Sequence, residues 1–248
     1  MVSKNQIKLI KSLGQKKNRR DSGLFVAEGK KTISELLNSG TEVHLLFSEE
    51  RIFDAADDKF VEVGATELKK ISLLKTPQTA VGIFKIPKIL LPDYSGLIIA
   101  LDGLRDPGNL GTIIRLCDWF GIDKLVCSKD SVDCYNPKVI QATMGSIARI
   151  AISYVDLPLY LRNRPESCPV VGTFMEAENI YQTSLPHSGI IVMGNEANGI
   201  SPEIEKYVTH KIGIPQFGKT ASTESLNVAT ATAIILSEFK RGSGFIER

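Results

Sequence analysis

Short apolar runs alternate with amphipathic segments along most of the chain, which is the pattern of an α/β protein. In the first third, the apolar positions predict strands at residues 24–27, 43–47, 60–63 and 80–84, and helices at 5–13, 29–38, 54–60 and 65–71. The polar stretch up to Ser22 is predicted as a loop. Within residues 85–92, Pro87 and Pro92 bracket a segment that suits a linker. We therefore expect a small N-terminal α/β domain over residues 1–88 and a linker over residues 89–96.

The apolar runs of the remaining chain do not alternate with polar residues. The first is Leu97-Ile98-Ile99-Ala100-Leu101, which is typical of a strand buried on both faces of a parallel sheet. Similar runs predict strands at residues 125–127, 151–155, 170–174, 190–193 and 211–215, with helical segments between them at 110–120, 137–144 and 158–162. Further helices are predicted to begin at residues 201–202 and near Ser225. These elements predict a second domain over residues 97–248, built on a doubly wound parallel sheet.

Composition narrows the class of protein. With 43% hydrophobic and 23% charged residues, the chain is predicted to be folded rather than disordered. No apolar run approaches the roughly 20 residues that cross a bilayer, and the N-terminus is polar, so we expect a cytoplasmic protein. The cysteines have no C-x-x-C spacing, which argues against a zinc site or a disulfide framework and predicts buried structural thiols at Cys117, Cys127, Cys134 and Cys168.

Basic residues are concentrated at the N-terminus, although the net charge is only +2. The residues that precede the first acidic one, Asp21, include Lys4, Lys8, Lys11, Lys16, Lys17, Arg19 and Arg20. Such a block is either a footprint for nucleic-acid phosphates or the solvated face of a helix. The sequence leaves both alternatives open.

The first candidate for chemistry is the segment from Asp106 to Arg115, where a loop rich in Gly, Pro and Asp leads into a helix. Asn109 is predicted as the N-cap. Helical spacing places Leu110, Ile113, Ile114, Cys117 and Phe120 on one face. Arg115 falls on roughly the opposite face, where it is either an ordinary surface residue or a bidentate ligand for a phosphate.

Two glycine-containing loops supply the other candidates. In the loop Gly194–Gly199, the two glycines allow the backbone to approach a ligand closely. Glu196 between them can accept hydrogen bonds from a bound group or pair with an arginine. A plain turn is the alternative interpretation of the same residues. The last candidate runs from Ile214-Pro215 to Ser225-Leu226-Asn227. Both loops follow predicted strands, as ligand sites at the carboxyl edge of an open α/β sheet do.

Residues 213–220 also satisfy the phosphate-loop pattern G-x-x-x-x-G-K-[ST]. A nucleotide hydrolase would then use Lys219 on the phosphates and Thr220 on magnesium. A phosphate loop needs its helix to begin at the Gly-Lys-Thr, so that the helix N-terminus faces the anion. The helical pattern starts instead near Ser225, so this function remains only a remote alternative.

In order and spacing, the three candidate segments resemble the motifs of the SpoU (TrmH-like) branch of the SPOUT RNA methyltransferases. The matching residues read N-L-G-x-x-x-R, then G-x-E-x-x-G, then I-P followed by S-L-N-V. Residues 133–138 with Gly145 look like the connecting segment of that family. Residues 5–28 look like its N-terminal substrate-binding domain, which is related to ribosomal RNA-binding proteins. Residues 216–224 are longer than the corresponding part of the family's third motif, which leaves the roles of Lys219 and Ser222 open.

The resemblance implies methylation of a ribose 2′-hydroxyl in RNA with S-adenosyl-L-methionine as the donor. Ribosomal RNA is favoured over transfer RNA as the substrate. A non-enzymatic RNA-binding module is disfavoured, because the positions of the catalytic residues are all filled. The resemblance also implies a homodimer and a C-terminal domain tied into a deep trefoil knot.

The same resemblance assigns the site residues. The catalytic arginine of the family corresponds to Arg115, with supporting positions at Asn109, Glu196, Ser225 and Asn227. The cofactor contacts, made largely by backbone groups, correspond to Thr173, Gly194, Ile214 and Leu226. A guanidinium stays protonated and makes a poor general base. We therefore expect Arg115 to bind the neighbouring RNA phosphate and to stabilise developing alkoxide charge.

Overall fold

The computed structural model describes residues 1–88, 93–218 and 225–241. The strands are β1 (Leu24–Glu28), β2 (Val43–Ser48), β3 (Phe60–Glu62), β4 (Ala80–Lys85), β5 (Leu97–Leu101), β6 (Lys124–Ser128), β7 (Ala151–Val155), β8 (Val170–Asn179), β9 (Gly189–Met193) and β10 (His210–Gly213). The α-helices are α1 (Lys4–Ser12), α2 (Lys16–Ser22), α3 (Lys30–Asn38), α4 (Ala65–Ile71), α5 (Pro107–Trp119), α6 (Pro137–Thr143), α7 (Leu157–Arg162), α8 (Pro202–Glu205) and α9 (Val228–Arg241). Among the described helices, none combines the length and the apolar character that a membrane span requires.

The chain divides into two compact units. The first contains residues 1–88 together with 133–149, and the second contains residues 89–132 and 150–248. The predicted linker falls partly outside the described residues, at positions 89–92, and so do Lys219, Thr220 and Ser222.

The first unit is built on a four-stranded sheet of order β1-β4-β2-β3. Strand β4 is antiparallel to both β1 and β2, and β2 is parallel to β3. The core of this unit combines apolar residues of α1, α4 and the sheet, among them Ile10, Leu13, Val26, Phe47, Leu68, Ile71, Val81 and Ile83. This arrangement agrees with the predicted small α/β domain.

Two predictions for the first unit are wrong. Residues 16–22, predicted as a loop, form α2, and the helix predicted over residues 54–60 is only a short 3-10 turn at Asp57–Lys59. Helix α2 has no apolar period because the side chain that it buries is Arg19, which is 2% exposed. Hydrophobic periodicity cannot identify a helix whose inward face is a charged residue.

Residues 133–149 follow β6 in the sequence but belong to the first unit. The ring of Tyr135 lies 4.8 Å from the ring of Phe25, measured between centroids. The Arg19 guanidinium donates from Nε to Oδ2 of Asp133 over 3.0 Å, and Nη1 of Arg149 lies 2.5 Å from a carboxylate oxygen of Glu35. The compact units therefore group this segment with residues 1–88 and not with the rest of residues 97–248.

The second unit contains a six-stranded sheet of order β10-β8-β9-β5-β6-β7, in which every neighbouring pair of described strands is parallel. Its central strands are buried on both faces, as the unbroken apolar runs predicted. All the strands therefore present their carboxyl ends at one edge. The candidate residues lie in the segments that follow β5, β9 and β10 at that edge, except Thr173, which lies within β8.

Strand β8 is longer than predicted and bulges away from β10. Lys211 of β10 pairs with Gly172 of β8, but the next residue, Ile212, pairs with Glu178. Residues 173–177 are thus displaced from the ladder between these two strands. The apolar pattern ends where this bulge begins, which is why the predicted strand stopped at residue 174.

Candidate active site

Helix α5 begins after Asp106, whose Oδ1 accepts a hydrogen bond from the backbone N–H of Asn109 over 2.8 Å. The prediction that Asn109 is the N-cap is therefore wrong. Pro107 occupies the first turn, where its missing N–H costs nothing, so the preceding residue is the cap. Asn109 lies inside the first turn, and its side chain reaches other elements instead of its own helix.

Three candidate residues from distant parts of the sequence meet at Asn109. Its amide Nδ2 donates to Oε1 of Glu196 over 3.0 Å, and its Oδ1 accepts from Nδ2 of Asn227 over 2.9 Å. The backbone N–H of Asp106 also lies 3.4 Å from the same Glu196 oxygen. The structure thus joins the three sequence motifs by one chain of side-chain hydrogen bonds, which we call the motif cluster (Asn109, Glu196 and Asn227).

Asn227 has a fixed orientation because both ends of its amide are used. Its Oδ1 accepts from the backbone N–H of Ala229 over 2.9 Å and lies 3.3 Å from that of Thr230, at the start of α9. An asparagine at this position caps the helix. Its NH₂ group is directed to Asn109, so the cap of α9 also sets the position of the motif cluster.

Glu196 lies in a turn that Asn195 holds together. Asn195 and Gly199 exchange two backbone hydrogen bonds of 2.9 Å each. The side-chain oxygen of Asn195 accepts from the N–H of Ala197 over 2.9 Å and is 3.3 Å from that of Asn198. The motif pattern G-x-E-x-x-G does not single out Asn195, although an asparagine beside a glycine in a predicted turn is a signal of this kind of side-chain bond.

Arg115 and Ser225 are exposed, and no hydrogen bond or ion pair among the described residues joins either of them to the motif cluster. On α5 the buried face contains Leu110, Ile113, Ile114 and Cys117, as predicted, while Phe120 is half-buried. Arg115 lies on the opposite face with Thr112 and Trp119, both exposed. The guanidinium is therefore accessible to an anion from solvent.

The four positions expected to contact the cofactor lie at the carboxyl edge of the sheet or just beyond it. Thr173 donates its hydroxyl to the carbonyl oxygen of Val192 over 3.0 Å, which ties β8 to β9. Gly194 directly follows β9, Ile214 directly follows β10, and Leu226 precedes the cap of α9. The main chain at residues 173–177 is displaced from the β8–β10 ladder, so this edge presents backbone polar groups, which suit the edge of an adenine.

Backbone segments approach each other closely at this edge. A Cβ at Gly194 would lie 2.2 Å from the carbonyl carbon of Gly199, and one at Gly213 would lie 2.7 Å from the carbonyl oxygen of Phe174. Both contacts are with backbone atoms, which cannot rotate away. Only glycine fits at these two positions.

The cysteines and acidic residues give no sign of a metal centre in the described part of the chain. No group of three or more His, Cys, Asp or Glu side chains there is arranged to hold an ion. All four cysteines are buried, as predicted. Burial raises the pKa of the Cys117 thiol to about 12, so this thiol stays protonated at neutral pH.

Comparison with known proteins identifies the family. Residues 96–237 match the model of the SpoU rRNA methylase family, and residues 4–82 match that of an MRM3-like substrate-binding domain. The chain belongs to the SpoU rRNA methylase family. Its predicted family and its predicted class, an RNA methyltransferase, are both confirmed.

Relatives of this SpoU protein match it over nearly the whole chain. The 23S rRNA (guanosine(2553)-2′-O)-methyltransferase RlmP of Bacillus subtilis is 30% identical, in an alignment that covers 94% of this chain and 96% of the relative. The structure of a putative RNA methyltransferase of the TrmH family from Porphyromonas gingivalis has 37% identity and a TM-score of 0.90, covering 98% of this chain and 99% of that one. An AdoMet-bound rRNA methyltransferase from Sinorhizobium meliloti has 29% identity and a TM-score of 0.84, covering 98% and 97%.

Proposed function

We propose that this protein transfers the methyl group of S-adenosyl-L-methionine to a ribose 2′-hydroxyl of ribosomal RNA. The observation that carries the proposal is the motif cluster, in which Asn109, Glu196 and Asn227 are hydrogen-bonded to one another. The B. subtilis relative, matched over nearly its full length, is named for 2′-O-methylation of 23S rRNA. That similarity favours ribosomal over transfer RNA as the substrate.

The cofactor would be held at the carboxyl edge by the backbone at Thr173, Gly194, Ile214 and Leu226. These positions lie on three neighbouring strand ends and at the start of α9, and the S. meliloti relative is described with AdoMet bound. When bound there, the cofactor supplies an electrophilic methyl group on a sulfonium. The protein's task is to hold the ribose oxygen in line with it, and positioning of this kind can provide much of the rate enhancement.

Arg115 is proposed as the catalytic residue that contacts the RNA. Its guanidinium is exposed and can bind a backbone phosphate through two parallel hydrogen bonds. Held close to the 2′-oxygen, the same charge stabilises the alkoxide that develops as the proton leaves to water. Asn109, Asn227 and Ser225 would orient the ribose, and Glu196 would hold Asn109 in place.

The trefoil knot and the homodimer are further parts of this proposal. The knot is supported by the parallel pairing of β10 with β8, the packing of α9 on α5, and the close backbone passages at Gly194 and Gly213. The dimer is supported by Trp119, which is 82% exposed on the same helix as Arg115. Light scattering that gave only the monomer mass of 27.2 kDa would contradict the dimer.

The first unit is proposed to bind the RNA substrate outside the catalytic centre. Lys4, Lys8, Lys16, Lys17 and Arg20 are exposed on α1 and α2, and the matched family model describes a substrate-binding domain. Arg19, from the same basic block, is buried and contributes nothing to such a surface. The cytoplasmic location expected from the sequence stays a prediction.

Methyl transfer from a tritiated donor to ribosomal RNA tests the proposed function. Wild-type protein should label the RNA, and Arg115→Ala should lose on the order of a hundredfold or more in rate, as removal of a group that stabilises transition-state charge does. Arg115→Lys should recover only a small part of that loss, because an ammonium cannot form the bidentate contact.

Arg162→Ala is the control, since Arg162 is exposed at the end of α7. Its rate should equal that of the wild type. Unlabelled RNA with wild-type protein would contradict the function, and near-normal turnover by Arg115→Lys would contradict the bidentate role.

A further inference from the structure

The loop between β5 and α5 is hydrogen-bonded through both main-chain polar groups of Gly103 to residues at the ends of two neighbouring strands. This residue is buried and has a left-handed backbone, with φ of 69°. Its N–H donates to Oγ of Ser128 over 2.8 Å, and its carbonyl oxygen accepts from Nδ2 of Asn195 over 2.5 Å. Ser128 is the last residue of β6, and Asn195 comes two residues after β9. One residue thus ties together the carboxyl ends of three neighbouring strands.

Ser128 uses its full hydrogen-bonding capacity. Its hydroxyl donates to Oδ1 of Asp130 over 2.6 Å, and its oxygen accepts from Gly103 and from the hydroxyl of Ser131, 3.0 Å away. A hydroxyl has one donor and two acceptor positions, so none is left over. The side chain is 7% exposed and cannot exchange these partners for water without a local opening. Its orientation is therefore fixed.

Asn195 connects Gly103 to the turn that contains Glu196. Its amide nitrogen is bound to Gly103, and its amide oxygen closes the turn by accepting from Ala197. Glu196 lies between Asn195 and Ala197, and its carboxylate accepts the hydrogen bond from Asn109. A shift of the Asn195 side chain would move the Glu196 carboxylate away from Asn109.

We propose that Ser128 and Asn195 are positioning residues for the methyl-transfer reaction. By binding the N–H and the carbonyl oxygen of Gly103, they fix the turn that directs Glu196 at Asn109. They act through Glu196 and not by contact with the RNA or the cofactor. The inference rests on the proposed function, and it adds two residues that the three sequence motifs do not assign a role.

A double-mutant cycle on the full-length protein tests this coupling, with kcat and KM measured for RNA methylation. Ser128→Ala removes the acceptor of the Gly103 N–H and should lower kcat about tenfold, as the loss of one buried hydrogen bond does. The KM for RNA should stay within about twofold, because the contacts to the substrate remain. In a Glu196→Gln background the same change should have almost no further effect, since its route of action is already lost.

Ser153→Ala is the matched control, because Ser153 is a buried serine on β7 of the same sheet. It should lower the thermal midpoint comparably to Ser128→Ala while leaving kcat unchanged. Wild-type kcat in Ser128→Ala, or the same fold-loss in both backgrounds, would overturn the proposal. If Ser128→Ala does not fold, Asn195→Asp replaces it in the double-mutant cycle, because this variant loses the donor to the Gly103 carbonyl oxygen. It should show the same loss of kcat in the wild-type background and almost none in the Glu196→Gln background. Because the wild type must be active for the cycle to be read, failure of the proposed function would be seen separately, as an inactive wild type.

Discussion

Arg19 and Arg20 are neighbours in the sequence but have opposite surroundings. The Arg19 side chain is 3% exposed, pairs with Asp133 and donates to the carbonyl oxygen of Leu13, whereas Arg20 is 77% exposed beside Asp21. Asp133 lies 114 positions from Arg19, so no local pattern could reveal the pair. The same holds for Asn109: its residue type and position pointed to a helix cap, but its partners are 87 and 118 positions away.

The buried ion pair of Arg19 predicts that replacing Asp133 destabilises the protein much more than replacing Asp21. Asp133→Ala leaves the Arg19 charge buried without a counter-ion and should lower the free energy of unfolding by about 3 kcal/mol. Asp21→Ala removes only an exposed partner and should cost less than about 0.5 kcal/mol. Urea unfolding of both variants, compared with the wild type, measures the difference. Equal losses would show that water reaches the Arg19–Asp133 pair.

Among the helices and strands, the sequence pattern predicted those that bury only apolar side chains. Strand β5 has the predicted bounds, Leu97–Leu101, because each of its side chains is apolar and buried. Helix α2 and the second half of β8 were missed, because one buries an arginine and the other continues through Glu176 and Glu178. The carboxyl edge was predictable from strand order and glycine loops. The turn around Asn195 was not, since it depends on a bond to Gly103.

The turn after β9 should reject any side chain at Gly194. Gly194→Ala places a methyl group 2.2 Å from the Gly199 carbonyl carbon and 2.4 Å from the Ile200 nitrogen, so the backbone must move. We expect a loss of at least about 3 kcal/mol in stability, in the range of severe overpacking, together with loss of methylation.

Gly121→Ala separates this overlap from backbone strain. Gly121 has φ of 64°, and a Cβ added there would have nothing within 4 Å, so only the left-handed backbone is penalised. Its cost should be about 1 kcal/mol. Thermal or urea unfolding measures both variants, and an equally mild effect of Gly194→Ala would contradict the close backbone passage.

For the whole molecule, the order of the motifs along the sequence identified the family. The same order does not show which segments pack together in one compact unit. Residues 133–149 lie within the stretch matched by the SpoU family model, yet their ring, ion-pair and hydrogen-bond partners include Phe25, Arg19 and Glu35. A periodicity argument assigns a segment to its neighbours in sequence. Here the assignment depends on contacts between residues more than a hundred positions apart.

Quantification of 2′-O-methylated nucleosides by mass spectrometry, in ribosomal RNA from cells with and without the protein, tests the central claim most directly. In cells that lack the protein, the wild type should restore one methylated nucleoside. Asn109→Asp should not restore it, because a carboxylate at position 109 repels that of Glu196 in the motif cluster. Asn163→Asp, at the exposed end of α7, should restore it fully. RNA with the same methylation in the presence and absence of the protein, or full methylation by Asn109→Asp, would contradict the account.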